Sequence, residues 1–164
     1  MTATVHGMDA TRAPGELYRP LGSYATLTGL FLGGLGAVLG VSEVRNRLPR
    51  RVALEDILLG GVAAHKLSRL VATDEVTAFL RAPFVDVRER EDGGVEEEPR
   101  GTGPRRALGE LLSCPSCVGQ WSAAGFVAGY LLAPRTTRAV ASIFVADAIS
   151  DFLHVAYRGL KERA

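Results

Sequence analysis

The sequence predicts an all-α fold: a small integral membrane bundle of three to four transmembrane helices, with an interfacial helix and a mobile charged loop. Three observations carry this expectation. Charged residues cluster at 42–56, 81–106 and 158–163, and the long stretches between them hold few or none. A bilayer imposes segregation on this scale, because an ionised side chain is costly in hydrocarbon. The stretch LGSYATLTGLFLGGLGAVLGV, residues 21–41, carries no charge at all. As a helix it reaches roughly 31 Å, close to the hydrocarbon thickness. Two later apolar segments, 115–132 and 139–160, approach or match that length.

The chain has 164 residues, enough for one domain, with 1–20 read as a disordered tail and 21–160 as a single membrane domain. A net charge of +1 gives no bulk electrostatic case for nucleic acid. Two cysteines exclude a disulfide-stapled scaffold. Residues 1–20 include Asp9, Glu16 and two prolines and lack an apolar centre, so they do not read as a cleavable signal peptide. The expected partner is the lipid bilayer, and no cofactor is implied.

Within the first span, Gly29, Gly33, Gly36 and Gly40 include pairs at small-xxx-small spacing. In water so many glycines weaken a helix, whereas in lipid they let helices approach closely. They also suggest a homo-oligomer. A basic connection, SEVRNRLPRR, follows at 42–51. A second helix begins at 54 but carries His65, Lys66 and Arg69 after its apolar ILLGGVAA start. His65, Arg69 and Thr73 share one stripe at i, i+4 and i+8. The helix spans with its basic end in the headgroups, the long stems snorkelling, or crosses obliquely with the stripe facing its neighbours, or, in a three-span version, lies in the interface.

Thr73 is expected to cap a new helical start before Asp74 and Glu75, whose charge suits a positive helix end. Asp74, Thr77 and Arg81 follow at helical spacing, and Pro83 stops the helix. Residues 85–106, charged and rich in Gly and Pro, read as a solvated loop, with Glu96–Glu98 merely solvated. The third apolar helix runs from Pro115 to Leu132, with Trp121 and Tyr130 near opposite ends as interfacial aromatics and Gly125 and Gly129 as a close-approach pair. PRTTR, 134–138, is expected to form a tight turn before the last helix.

With four spans, the tail, the 81–106 loop and the C-terminus share one side, which carries eleven Lys and Arg against six in the two short connections. The positive-inside rule then places both termini in the cytoplasm and the chain as a multi-pass protein of the cell membrane.

Both cysteines lie in LLSCPSCVGQW, 111–121. Proline suits the first helical position, which makes Cys114 the N-cap and Cys117 the third helical residue. A Cys114 thiolate could then accept the Cys117 backbone N–H, and the helix dipole would favour it. Both effects lower a thiol pKa, as a reactive cysteine requires. Three readings stay open: thiols packed as small apolar residues, a redox pair, or metal ligands. A metal would need His65 and His154 brought to one membrane side, or two C-x-x-C pairs from a dimer. On the last helix Asp147, Asp151 and His154 lie on roughly one face. Carboxylates there need partners, and Lys66, Arg69 and His65 are the candidates.

SRLVATDEVTAFLRAPF (68–84) followed by GELLSCPSCVGQW (109–121) resembles the bacterial membrane-protein family catalogued as domain of unknown function 1360. The shared pattern includes Arg69, Asp74, Glu75, Thr77, Arg81, Pro83, Cys114, Pro115, Cys117, Gly119 and Trp121. The resemblance implies a small integral membrane protein, with one member linked to sporulation and no established activity. The expected function is a structural or accessory membrane role, not enzymatic. The alternatives are a thiol–disulfide component, with Cys114 attacking, Cys117 resolving and Asp74, Glu75 or Arg81 adjusting their pKa values, or a metal-binding protein using the same thiols.

Overall fold

The computed structural model describes residues 20–89 and 95–163; the tail expected to be disordered at 1–19 lies outside them. Six α-helices and one hairpin are described. They are α1 (Leu21–Val44), α2 (Leu54–Thr73), α3 (Ala78–Arg81), β1 (Val85–Glu89), β2 (Val95–Pro99), α4 (Gly103–Leu112), α5 (Pro115–Leu132) and α6 (Pro134–Lys161).

Helices α2, α5 and α6 form the body. Gly60 of α2 meets Tyr130, and Ser68 meets Gly119, so α2 and α5 run antiparallel. Asp56 meets Arg138 and Lys66 meets Asp147, so α2 and α6 run parallel. The core is built from small residues and rings: Ala63, Ala64 and Ala141 are buried around Phe126, with Leu59, Tyr130 and Phe144 packed against them. Phe126 and Phe144 meet edge to face at 6.4 Å. Small residues are what let helix axes come this close. At Gly129 an added Cβ would lie 2.5 Å from Thr137 Oγ1, so the expected close approach is real there, while Gly125 faces open space.

Helix α1 lies along this body by one stripe only. Tyr24, Leu27, Phe31, Leu35, Val38 and Ser42 are at least partly buried, and most of the rest of the helix is exposed. That spacing is one face of a 3.6-residue period. Gly29, Gly33, Gly36 and Gly40 fall outside the stripe, and nothing lies within 4 Å of where their side chains would be.

Among the described residues two helices, α1 and α6, are long and apolar enough to cross a membrane, not three or four. Helix α2 falls short because Glu55, Asp56, His65, Lys66 and Arg69 interrupt it. Helix α5 falls short because Gln120, two serines and its glycines dilute the apolar residues over only 18 positions.

Three local expectations are corrected. Residues 85–106 are not simply a loop: β1 and β2 pair antiparallel, Val85 opposite Pro99 and Val87 opposite Glu97, and α4 follows. Val85 is buried and anchors the hairpin, while Val87, on the same face of the strand, is exposed. PRTTR is the first turn of α6, because Pro134 takes a starting position in that helix and leaves Ala133 alone as the corner. Thr73 ends α2 instead of capping the next turn; its hydroxyl donates back to the Arg69 carbonyl at 2.8 Å.

Candidate functional site

The residues singled out from sequence fall into three places. The first is the C-terminal end of α2. A helix leaves its last four carbonyls without intrahelical partners. Here the chain turns through a 3-10 turn, Glu75–Thr77, and α3 folds back beneath them. Thr77 Oγ1 donates to the Leu70 carbonyl, and Arg81 Nη1 donates to the Val71 carbonyl at 2.6 Å and the Asp74 carbonyl at 3.1 Å. Arg81 is 2 % exposed. Its other edge faces Glu97, with Nε to Oε2 at 2.8 Å and Nη2 to Oε1 at 2.9 Å. The T-D-E-V-T-x-x-x-R pattern is therefore a helix terminator whose arginine also ties the hairpin to the body. Glu97 corrects the reading of Glu96–Glu98 as bare solvation. Asp74 contributes through its backbone carbonyl, and Glu75 is exposed.

On the hairpin's other face, Arg88 pairs with Glu98 at 3.0 Å. Arg100 Nε donates to Asp86 at 2.7 Å, and that guanidinium holds the Asp86 carboxyl below its usual range. Arg105 closes the base of the hairpin by donating to the Pro83 carbonyl at 2.9 and 2.7 Å. Gly109 of α4 sits directly on that base, and an added Cβ would lie 2.5 Å from the Phe84 carbonyl oxygen.

The second place is the junction of α4 and α5. Cys114 is the N-cap of α5, Pro115 begins the helix, and Cys114 Sγ accepts the Cys117 backbone N–H at 3.3 Å. Both thiols are free and partly buried. The Cys114 thiol is pulled below its ordinary value, chiefly because the Cys117 thiol hydrogen-bonds to it; burial opposes this, and the backbone N–H groups of Cys117 and Ser116 add to it. Asp74, Glu75 and Arg81 are absent from those causes.

Cys117 also lines a cavity of about 370 Å³ between α1, α4 and α5, together with Tyr24, Phe31, Glu110, Gln120 and Trp121. Glu110 is fixed in its wall by the Tyr24 hydroxyl and by Arg106 at 3.0 Å. Trp121 meets Phe31 edge to face at 5.1 Å, so its ring holds α1 to α5. The arrangement is chemically simple: an acidified thiol at a helix start, a second thiol one turn on, and an apolar chamber with one carboxylate beside them.

The third place is the middle of α6. Lys66 reaches Asp147 at 3.1 Å and also binds Asp151. Of the three basic candidates on α2, Lys66 makes the contact. His65, Arg69 and His154 are exposed. Among the described residues, no group of three or more His, Cys, Asp and Glu side chains is placed to hold a metal ion.

One tie escaped the sequence reading. Arg138 holds Asp56 with both edges, Nε to Oδ1 at 2.8 Å and Nη2 to Oδ2 at 2.7 Å. Nothing in the local pattern of either residue announces a partner 82 positions away.

Comparison with known proteins agrees with these motifs. A family model described as "Protein of unknown function (DUF1360)" matches residues 58–157. The Sporulation protein YjcA of Bacillus subtilis (strain 168) is 41% identical over 75 residues, covering 43% of this chain and 63% of that protein. The UPF0713 protein YngL of the same organism is 34% identical over 86 residues, covering 51% of this chain and 62% of that protein. The chain thus spans a little under two thirds of the length of these curated relatives. No solved structure matches it significantly. The matched region takes in most of α2, the Arg81 terminator, the hairpin, the cysteine junction and most of α6, and by that match the chain belongs to the DUF1360 family.

Proposed function

We propose that the protein is a multi-pass membrane bundle with a structural or accessory role, the ties of Lys66 to Asp147 and Asp151 and of Arg138 to Asp56 serving to fix helix packing. One observation carries this reading. The most apolar windows of α1 and α6 are only 6% and 11% buried. A core helix of a soluble protein hides such a surface, and an exposed apolar face of this size calls for lipid or a partner. Leu30, Leu32, Ile143, Ile149, Phe152 and Leu153 are each more than half exposed. The parallel and antiparallel contacts put residue 20, the hairpin and the end of α6 at one end of the bundle. The arginine count then favours a cytoplasmic location for that end. The polar helix α2 packs against both α5 and α6, which takes Asp56 and Lys66 into the bundle while His65 and Arg69 stay on its open face. The unpartnered glycine face of α1 suits contact with a second copy. The relative named as a sporulation protein makes a part in sporulation the first role to examine.

The test is extraction. Membranes carrying the chain are washed with alkaline carbonate and then with detergent. Release only by detergent supports the reading, and recovery in the carbonate supernatant as a monodisperse species refutes it.

A second reading is favoured by Cys114 alone: its N-cap geometry suits a thiol that reacts, with Cys117 as its resolving partner. Alkylation of each thiol across pH decides it, since a Cys114 that titrates at the free-cysteine value removes the case.

A further inference from the structure

We propose that the opposite end of the bundle, at the corner formed by residues 45–53 and Ala133, binds an anionic phosphate group. A cavity of about 270 Å³ opens there between the 45–53 connection, α2, α5 and α6. Three guanidinium groups line it, from Arg47, Arg51 and Arg138, against one carboxylate, Asp56. The carboxylate is already taken by Arg138 through two hydrogen bonds, at 2.8 and 2.7 Å. Arg47 is anchored by one nitrogen, Nη1, on the Leu132 carbonyl at 2.8 Å, which leaves the rest of its fork for a ligand. Among the described residues Arg51 makes no hydrogen bond or ion pair.

A neutral donor stands in the same wall. The Tyr130 hydroxyl is buried and has no hydrogen-bond partner among the described residues. Buried hydroxyls are rarely left so, and Tyr130 lines this cavity together with Arg47, Arg51 and Arg138. The first turn of α6, the positive end of that helix's dipole, begins at Pro134 beside Arg47 and Tyr130. Arginine forks match phosphate oxygens, and several cations with a hydroxyl donor suit an anion with more oxygens than a carboxylate has. The chamber is small for a drug-sized molecule and ample for a phosphate group. Two sources share this chemistry: a free phosphate, or the headgroup of an anionic phospholipid reaching in from the membrane surface.

The experiment uses the full chain, purified and stripped of lipid, titrated calorimetrically with inorganic phosphate. In parallel it is reconstituted into nanodiscs of phosphatidylcholine with or without phosphatidylglycerol, and lipid phosphorus retained on re-extraction is measured. Arg51→Gln and Tyr130→Phe remove donors without removing a fold contact, and Arg158→Gln removes a charge at the far end. Saturable phosphate binding that weakens about tenfold in Arg51→Gln and stays unchanged in Arg158→Gln supports the site with a free anion as ligand. Retention of phosphatidylglycerol alone, lost in Arg51→Gln, supports it with a headgroup as ligand. Absence of both, or equal losses in Arg51→Gln and Arg158→Gln, overturns it. A chain that proves water-soluble yet binds phosphate would end the membrane reading and leave this one standing.

Discussion

Arg81→Met removes the guanidinium that joins the end of α2 to the hairpin while keeping much of the side-chain volume. The change strips two carbonyls, Val71 and Asp74, of a donor and leaves Glu97 without its bidentate partner. Removing one member of a buried pair typically costs about 3–5 kcal/mol. Glu97 retains 23 % side-chain exposure and can rehydrate, which places the expected loss near the lower end, about 3 kcal/mol. For a chain of this size that corresponds to a midpoint lowered by roughly 6–12 °C in a two-state melt. The loss should be local first, because the hairpin is tied to the body chiefly through this arginine, Val85 and the Arg105 contact to Pro83. Limited proteolysis across 85–99 and a thermal melt in detergent measure the two scales. Glu97→Gln should cost less, since the carbonyl bonds survive, and the double variant should lose less than the sum of the two singles, with a coupling of about 1–3 kcal/mol. If Arg81→Met melts within about two degrees of the parent, or the two losses simply add, Arg81 is not the tie described here.

Four further outcomes are expected. Gly109→Ala should destabilise by about 1–3 kcal/mol, because the new methyl meets the backbone oxygen of Phe84 at 2.5 Å and backbone yields little; an unchanged melting curve would contradict the packing of α4 on the hairpin. Lys66→Met should destabilise the α2–α6 contact, whereas Asp147→Asn should cost less because Asp151 still holds the ammonium; equal losses in the two variants would show that Asp151 does not share it. Cys117→Ala should raise the alkylation pKa of Cys114 toward the ordinary value, since the Cys117 thiol is the main cause of its depression; no movement would assign the depression to the helix start alone. Asp86 has a folded pKa below its ordinary 3.8, so its contribution to the hairpin is complete above that pH and fades as pH falls through the lowered value; amide exchange of the strands should accelerate in that acid window, and Asp86→Asn should abolish the pH step.

How much of this was legible beforehand depended on the range of the interaction. Pro115 as the helix start, Cys114 as its N-cap and Pro83 as the stop follow from backbone chemistry within four residues, and all three are where the sequence places them. The helix Leu21–Val44 announced itself by the uncharged run at 21–41. The hairpin was hidden because its turn composition resembles a solvated loop, and only Val85 and Glu97 reveal that one face packs. Glu97 gave no sign of its role, since its partner is 16 residues away and the acidic neighbours mask it.

By itself the sequence determined the local matters: the helical class, the apolar stretches, the Pro115 helix start and the cysteine cap. Each rests on the propensity and spacing of residues within one or two turns. Only the tertiary structure decided which charges meet. It chose Lys66 over Arg69 for the aspartates of α6, joined Asp56 to Arg138, and gave the buried Arg81 to Glu97. The physical reason is that a charge has no preferred sequence distance. Its partner is set by helix direction and packing, which small residues such as Ala63, Ala64 and Gly129 fix by allowing close approach.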